Sequence, residues 1–347
     1  MELDELTERL GPFAAARYGR EDLVIEGVHT MPGHAGFSWG FDVVLGEGSD
    51  ADRESWFIRL PPPNVNWRGT ADVLRQVEVL NALDGTDVPH CSVQWSGADL
   101  EWFGCPYFVV PKLEGDVLRL GPGEWTDALP DEIKHDMGRQ VMQALAGIHA
   151  VDHAKTPYLG DPVPFNEDVE RWDRFFERAA DPELLARAPD CRRRLLETLP
   201  EDAPVGIFHG DFQTSNVFFE PPPTTGEPPK LLAVIDWELT GIGATLNDVG
   251  WICTFSDREA WAPSPDAGAA PRPSFLDPDT LMSLYVEAWG KPLPNLNWFR
   301  ALAAYKFAII TGFNLSLHRR RKRVDPSWEI TRLSMPTLID RALELLG

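Results

Sequence analysis

Leu3, Leu6, Leu10 and Phe13 recur at the spacing of one helix face, which predicts an amphipathic opening helix ending near Gly19. Runs with strand character follow at 24–30, 41–45 and 55–60, the last stopped by Pro61-Pro62-Pro63. A helical pattern over 70–83 and two further strand candidates, 91–95 and 106–110, complete the first third of the chain. The expectation there is a small, mainly antiparallel sheet with one helix.

Helical periodicity then takes over. Ile133, Met137, Val141, Ala144, Leu145 and Ile148 line one side of 131–151, and a helix is expected over 168–180. One β-rich interruption, at 205–208, 216–220 and 231–236, encloses the polar, proline-rich loop 221–230. Helical stretches return at 245–255, 278–289, 297–320 and 328–346, around a loose Pro/Ala segment at 262–273. The pattern is that of an α+β chain in two lobes. A sheet lobe occupies 1–110, a short link 111–115, and a mostly helical lobe 116–347.

Composition narrows the partners. The 347 residues are 43% hydrophobic and 25% charged, which suits an ordinary globular protein with a sizeable core. Lys plus Arg number 32 against 54 Asp plus Glu, and the net charge of -22 repels nucleic acid and anionic membrane; it suits either a cationic substrate or, more commonly, a uniformly solvated acidic surface. Cys91, Cys105, Cys191 and Cys253 show no zinc or disulfide spacing, which suits a reducing cytoplasm. The start Met1-Glu2-Leu3-Asp4-Glu5 lacks the basic and apolar segments of a signal peptide. The longest apolar stretch, 301–313, is too short to span a bilayer and is interrupted by Lys306.

The chemistry concentrates in the β-rich interruption. Phe208-His209-Gly210-Asp211-Phe212-Gln213-Thr214-Ser215-Asn216-Val217 puts an Asp and an Asn five residues apart, across a loop between two strands. Further on, Val234-Ile235-Asp236-Trp237 ends an apolar strand on another Asp. Phosphoryl transfer needs oxygen ligands for magnesium and a carboxylate to orient and deprotonate a hydroxyl. Asn216 and Asp236 are the candidate magnesium ligands, and Asp211 the carboxylate facing the acceptor.

These segments resemble the aminoglycoside phosphotransferase and choline-kinase-like family, whose signature is His-Gly-Asp, four residues, Asn, then Ile-Asp-Trp or Ile-Asp-Phe. The nearer resemblance is to the branch related to kinase-like domains that accompany some acyl-CoA dehydrogenases. It rests on Ala144-Leu145-Ala146-Gly147-Ile148-His149-Ala150-Val151-Asp152 and Asp236-Trp237-Glu238-Leu239-Thr240-Gly241-Ile242-Gly243. The resemblance implies a bilobal protein-kinase-like fold, ATP or GTP as donor and magnesium as cofactor. It also implies Asp211 as catalytic base, Asn216 and Asp236 as metal ligands, and His209 as support for the loop. Asp248 matches an Asp that braces this loop; it equally suits a plain carboxylate answering a helix N-terminus.

On the nucleotide side, Gly33, Gly36 and Gly40 lie between two strands, where backbone N–H groups could approach phosphates. Kinase-like folds pair a third-strand Lys with a Glu on the next helix. Here Arg59 stands in the Lys position and Gln76 in the Glu position, so an Arg-to-amide hydrogen bond is expected instead of an ion pair. Tyr107-Phe108-Val109-Val110-Pro111-Lys112-Leu113-Glu114-Gly115 resembles the hinge that binds adenine. Val110 and Leu113 are its candidate nucleotide positions; Pro111 has no N–H to give, so Leu113 or Lys112 would have to offer it.

The expected acceptor is a small molecule, an aminoglycoside-like antibiotic or a hydroxylated metabolite. Trp172, Phe175, Phe176, Trp298, Tyr305 and Phe313 are either its apolar wall or core. The basic run His318-Arg319-Arg320-Arg321-Lys322-Arg323 either ends a helix or binds an anionic acceptor. The competing function class is a nucleotide-binding regulatory module without turnover, suggested by Gln76 and the missing third-strand Lys.

Overall fold

The computed structural model describes residues 1–31, 37–46, 52–221, 227–263 and 273–347. Helix α1 (Leu3–Tyr18) buries Leu6, Leu10, Phe13 and Ala14, and stops at Gly19, whose left-handed backbone (φ 66°) suits a residue without Cβ. It covers a five-stranded antiparallel sheet of strands β1 (Leu23–Thr30), β2 (Ser38–Leu45), β3 (Asp52–Arg59), β4 (Trp95–Gly97) and β5 (Tyr107–Pro111), in the order β1-β2-β3-β5-β4. The strand expected at 91–95 starts only at Trp95. Its indole is the anchor, packed 5.9 Å from Phe13, 5.5 Å from Tyr18 and 4.8 Å from Trp56.

Alternation along β5 gives its two faces different neighbours. Tyr107 and Val109 join α1 in a small core, whereas Phe108 and Val110 enter the large core of the helical part. Helix α2 (Val73–Leu83) belongs to that large core as well. Arg75 of α2 donates to the Thr240 carbonyl at 2.9 Å, and Glu78 accepts the Tyr158 N–H at 3.0 Å. Sheet and helical part are thereby joined beside residues 236–240.

The helical part contains β6 (Asp116–Val117), α3 (Asp131–Ala150), α4 (Phe165–Glu170), α5 (Asp173–Phe176), α6 (Ala188–Glu197), β7 (Val205–Phe208), β8 (Val217–Phe219), β9 (Leu231–Val234) and β10 (Gly241–Ala244). Then come α7 (Leu246–Ser256), α8 (Pro278–Trp289), α9 (Leu296–Arg319), α10 (Ser327–Thr331) and α11 (Met335–Leu345). The single helix expected over 168–180 is two short ones. Asp168 there receives a hydrogen bond from Asn247 of α7, and Asp173 pairs with Arg192 of α6.

Strands β7 and β10 pair antiparallel, and β8 lies between β6 and β9 in a second small sheet. The ends of β7 and β9 and the start of β8 converge on the site described below. Gly250 lets α7 and α9 touch, since a Cβ there would lie 2.3 Å from the Phe299 carbonyl oxygen. That contact brings Trp251 and Lys306 to one place. No described helix is long and apolar enough to cross a membrane.

Candidate active site

Strand β7 delivers the chain into His209-Gly210-Asp211. Gly210 has φ 90°, and a Cβ would sit 2.4 Å from the Leu239 carbonyl oxygen, so only glycine fits this bend. Asp248, in the first turn of α7, accepts the His209 N–H at 2.7 Å and the Gly210 N–H at 2.8 Å. His149 Nε2 lies 3.1 Å from the same carboxylate, and its Nδ1 lies 2.7 Å from the Tyr285 hydroxyl. Of the two readings of Asp248, the bracing one is therefore the geometry found. Burial pushes its carboxyl up, but the His149 bond, the His149 and His209 rings and the Gly210 N–H outweigh this and hold it below the usual range.

His209 is wholly buried and ties the loop to the next strand. Its Nε2 donates to the Ile235 carbonyl at 2.9 Å, and its Nδ1 accepts the Asp211 N–H at 3.2 Å. Ile235 in turn donates its N–H to the Asn216 carbonyl at 2.9 Å. Residues 211, 216 and 236 are therefore positioned by one hydrogen-bonded frame. Asp236 follows in the left-handed conformation, φ 64° and ψ 63°, which costs a non-glycine residue about 1–2 kcal/mol. Its side chain is exposed.

Asn216 donates its Nδ2 to the Asp211 carbonyl at 2.8 Å and to Asp211 Oδ2 at 3.1 Å. The amide nitrogen being committed, Oδ1 is the atom left for a cation. Asp211 also accepts from Trp251 Nε1 at 2.7 Å and from Gln213 Nε2 at 2.9 and 3.0 Å. Burial raises the Asp211 carboxyl above its ordinary range and the Asp236 charge adds to this, against the Trp251 and Gln213 donors and the His209 ring. Neither Trp251 nor Gln213 is singled out by the sequence. The signal for Trp251 was its place three residues after Asp248, on the same helix face.

The opposite wall corrects one expectation. Arg59 Nη1 donates to Ser38 Oγ at 2.8 Å and Nη2 to Glu238 Oε2 at 2.9 Å, rather than to Gln76. Gln76 is buried, and its Nε2 has no partner among the described residues. The carboxylate that meets the third-strand cation thus comes from just past Asp236 instead of from α2. Glu238 is raised by burial and by Asp236, and lowered by Arg59; Arg323 of the basic run is near enough to lower it too.

Gly33 and Gly36 lie outside the described residues. Gly40 stands in β2 against His29, whose ring fills the space of a Cβ. Val110 pairs with Phe57 in the ladder and buries its side chain. The Lys112 N–H is taken by the Ser55 carbonyl at 2.9 Å, which leaves half-buried Leu113 as the hinge position with an N–H to offer.

Among the aromatic candidates, Trp298 and Tyr305 are core, Trp298 Nε1 donating to the Leu195 carbonyl at 3.1 Å. Trp172, Phe175 and Phe313 are half-buried in one row, with centroids 5.4 and 4.9 Å apart. In the basic run, Arg319 ends α9 and is held by Asp181 at 2.6 Å and Glu329 at 2.7 Å, while Arg320 to Arg323 are exposed.

Among known proteins, acyl-CoA dehydrogenase family member 11 of Gallus gallus is 24% identical over 317 residues, covering 84% of this chain and 38% of that protein. The chain thus spans little more than a third of that relative. A putative aminoglycoside phosphotransferase from Ralstonia eutropha JMP134 superposes with a TM-score of 0.74 at 20% identity, over 97% of this chain and 98% of the other. An AMP-bound spectinomycin phosphotransferase superposes with a TM-score of 0.56 at 13% identity, over 97% and 98%. These likenesses show the kinase-like fold. The model of the phosphotransferase enzyme family matches residues 37–281, and the chain belongs to that family.

Proposed function

We propose that the chain transfers the γ-phosphoryl group of ATP, or of GTP, to a hydroxyl of a small molecule, with magnesium as cofactor. The observation that carries this reading is the frame that holds Asp211, Asn216 and Asp236 together through His209 and Asp248. In the reaction the acceptor oxygen bonds to the γ-phosphorus, the bond from phosphorus to the β–γ bridging oxygen breaks, and the nucleoside diphosphate leaves with that electron pair. Asp211 orients the hydroxyl and takes its proton late, as suits a loose transition state. Its raised carboxyl is a better proton acceptor than an ordinary Asp.

The residues present suit magnesium. No three His, Cys, Asp or Glu side chains form a metal cluster among the described residues, so the chain offers Asp236 and the Asn216 amide oxygen rather than a closed cage. Magnesium is bound in this way, by few protein oxygens plus substrate phosphates, and when present it neutralises charge on the β- and γ-oxygens. Asp236→Ala is expected to raise the Kd of magnesium-ATP by about tenfold or more. Calorimetry with and without EDTA checks this, and an unchanged, metal-dependent Kd removes Asp236 from the site.

Glu238 holds Arg59 Nη2 and offsets the guanidinium charge that a phosphate would meet. In Glu238→Gln the guanidinium is no longer neutralised, and metal-free ADP is expected to bind about fivefold more tightly, the scale of one partly exposed ion pair. Equal or weaker ADP binding would remove Arg59 from the phosphate site.

The AMP of the spectinomycin phosphotransferase supports an adenine nucleotide. A screen of hydroxylated compounds for ADP release tests turnover. The second reading, a nucleotide-binding module without turnover, is favoured by the engagement of Arg59 with Glu238. It prevails if magnesium-ATP binds and no hydroxyl compound releases ADP. Acceptor candidates are aminoglycoside-like compounds and hydroxylated metabolites, the latter favoured by relatives named for acyl-CoA dehydrogenases.

A further inference from the structure

The Asp211 carboxylate is fully taken. Oδ1 accepts from Trp251 Nε1 at 2.7 Å and from Gln213 Nε2 at 2.9 Å, and Oδ2 accepts from Gln213 Nε2 at 3.0 Å and from Asn216 Nδ2 at 3.1 Å. An ionised carboxylate has about four lone-pair sites, two on each oxygen. The N–H contacts fill them. A hydroxyl that Asp211 is to orient and deprotonate must donate into one of these sites from about 2.6–3.2 Å, so one of the three donors has to give way first.

The surroundings single out Gln213. Trp251 is buried on α7 with its ring 5.4 Å from that of Phe255 and 5.8 Å from that of Phe307, so packing fixes the indole. Asn216 is also buried, and its Nδ2 is tied a second time, to the Asp211 carbonyl at 2.8 Å. Gln213 is half-buried, and its side chain makes no hydrogen bond among the described residues beyond the two to Asp211. Its backbone carbonyl accepts the Asn216 N–H at 2.9 Å and starts the turn Thr214–Asn216, so the loop keeps its shape when the amide alone rotates into solvent. The place it fills is the one a hydroxyl needs. An atom almost equidistant from both oxygens lies near the axis of the carboxyl group, where the syn lone pairs, the more basic ones, converge. Trp251 and Asn216 hold one oxygen each.

We propose that Gln213 stands in for the acceptor: its amide occupies the position on Asp211 that the acceptor hydroxyl takes, and it swings out before transfer. This rests on the phosphotransfer reading above. The consequence is selectivity against water. An acceptor displaces the amide with binding energy from contacts made by its remote parts, whereas a water molecule brings none. While no acceptor is bound, the base stays covered and hydrolysis of magnesium-ATP is suppressed. In that side reaction a water oxygen bonds to the γ-phosphorus, the bond from phosphorus to the β–γ bridging oxygen breaks, ADP leaves with that electron pair, and Asp211 takes the water proton.

The test measures phosphate release from magnesium-ATP by the full chain with no acceptor added. Gln213→Ala is expected to release phosphate about tenfold faster than the parent protein, the scale of one hydrogen bond to a charged group. The gain should lie in kcat, with KM for magnesium-ATP within about twofold, and should vanish when Asp211→Asn is added to the same chain. A purely structural role for Gln213 would lower the rate with the folded fraction and would not raise it. Gln213→Met, which keeps the length and loses the N–H groups, serves if the Ala variant does not fold, and the same direction is expected. Hydrolysis that is unchanged, slower or undetectable in the variant, faster through KM alone, or indifferent to Asp211→Asn overturns the proposal. Those outcomes leave the phosphotransfer reading standing. That reading fails if magnesium-ATP does not bind the parent protein or if no hydroxyl compound is phosphorylated, and the proposal then falls with it.

Discussion

Asp211→Asn is expected to lower kcat for phosphoryl transfer by about 10³-fold, equivalent to about 4 kcal/mol of barrier, while magnesium-nucleotide affinity stays within about twofold. The substitution keeps the shape and removes the base. One oxygen can still accept from Trp251 Nε1, but the new amide nitrogen meets Gln213 Nε2 and Asn216 Nδ2, both donors. Some loss of order at Asn216 is thus built into the variant, which is why the nucleotide Kd must be measured beside the rate. A drop in kcat with an intact Kd assigns the loss to the hydroxyl side of the reaction. Transfer that stays within about tenfold of the parent protein would mean that Asp211 neither orients nor deprotonates the acceptor.

What the sequence could and could not carry follows from the range of the interactions involved. Asp211, Asn216 and Asp236 were legible because their order is local and each stands at a strand end or loop. The helices at 131–150, 278–289 and 296–319 were legible through their apolar periodicity. Strand β10 was not, because Gly241-Ile242-Gly243-Ala244 has no alternation of polar and apolar side chains and becomes a strand only by pairing with β7. Helix α6 was missed because Ala188–Glu197 is dominated by charge.

The partner of Arg59 illustrates the harder case. Periodicity put Gln76 on the inner face of α2, and the structure does bury it, but the guanidinium turned to Glu238, 179 residues away. Nothing local distinguishes those two outcomes. Lys306 was visible only as an interruption of an apolar run. Its neighbours Trp172 and Trp251 come from the turn before α5 and from α7, both far away in the chain.

The second large effect is expected at Asp248, where Asp248→Ala should destabilise the protein by about 3–5 kcal/mol, since it strands two backbone N–H groups and the His149 ring in a buried place. Denaturant titration reads this directly, and a loss below about 1 kcal/mol would show that loop 209–211 does not depend on the brace. The pH dependence has a definite sign. The folded carboxyl is held below its unfolded value of about 4, so its contribution is complete above that pH and is lost as pH falls through the lower folded value. Stability of the parent protein should therefore fall more steeply than that of Asp248→Ala on acidification between about pH 5 and 3. Parallel profiles would contradict a depressed Asp248. Activity should suffer beyond the loss of folded protein, because the same carboxylate fixes the backbone from which Asp211 projects, and a catalytic group displaced by about 1 Å loses on the order of a hundredfold in rate. His149→Phe, which removes one of the three hydrogen bonds to Asp248 together with the contact to the Tyr285 hydroxyl and keeps a ring in its place, is expected to show the smaller part of both effects.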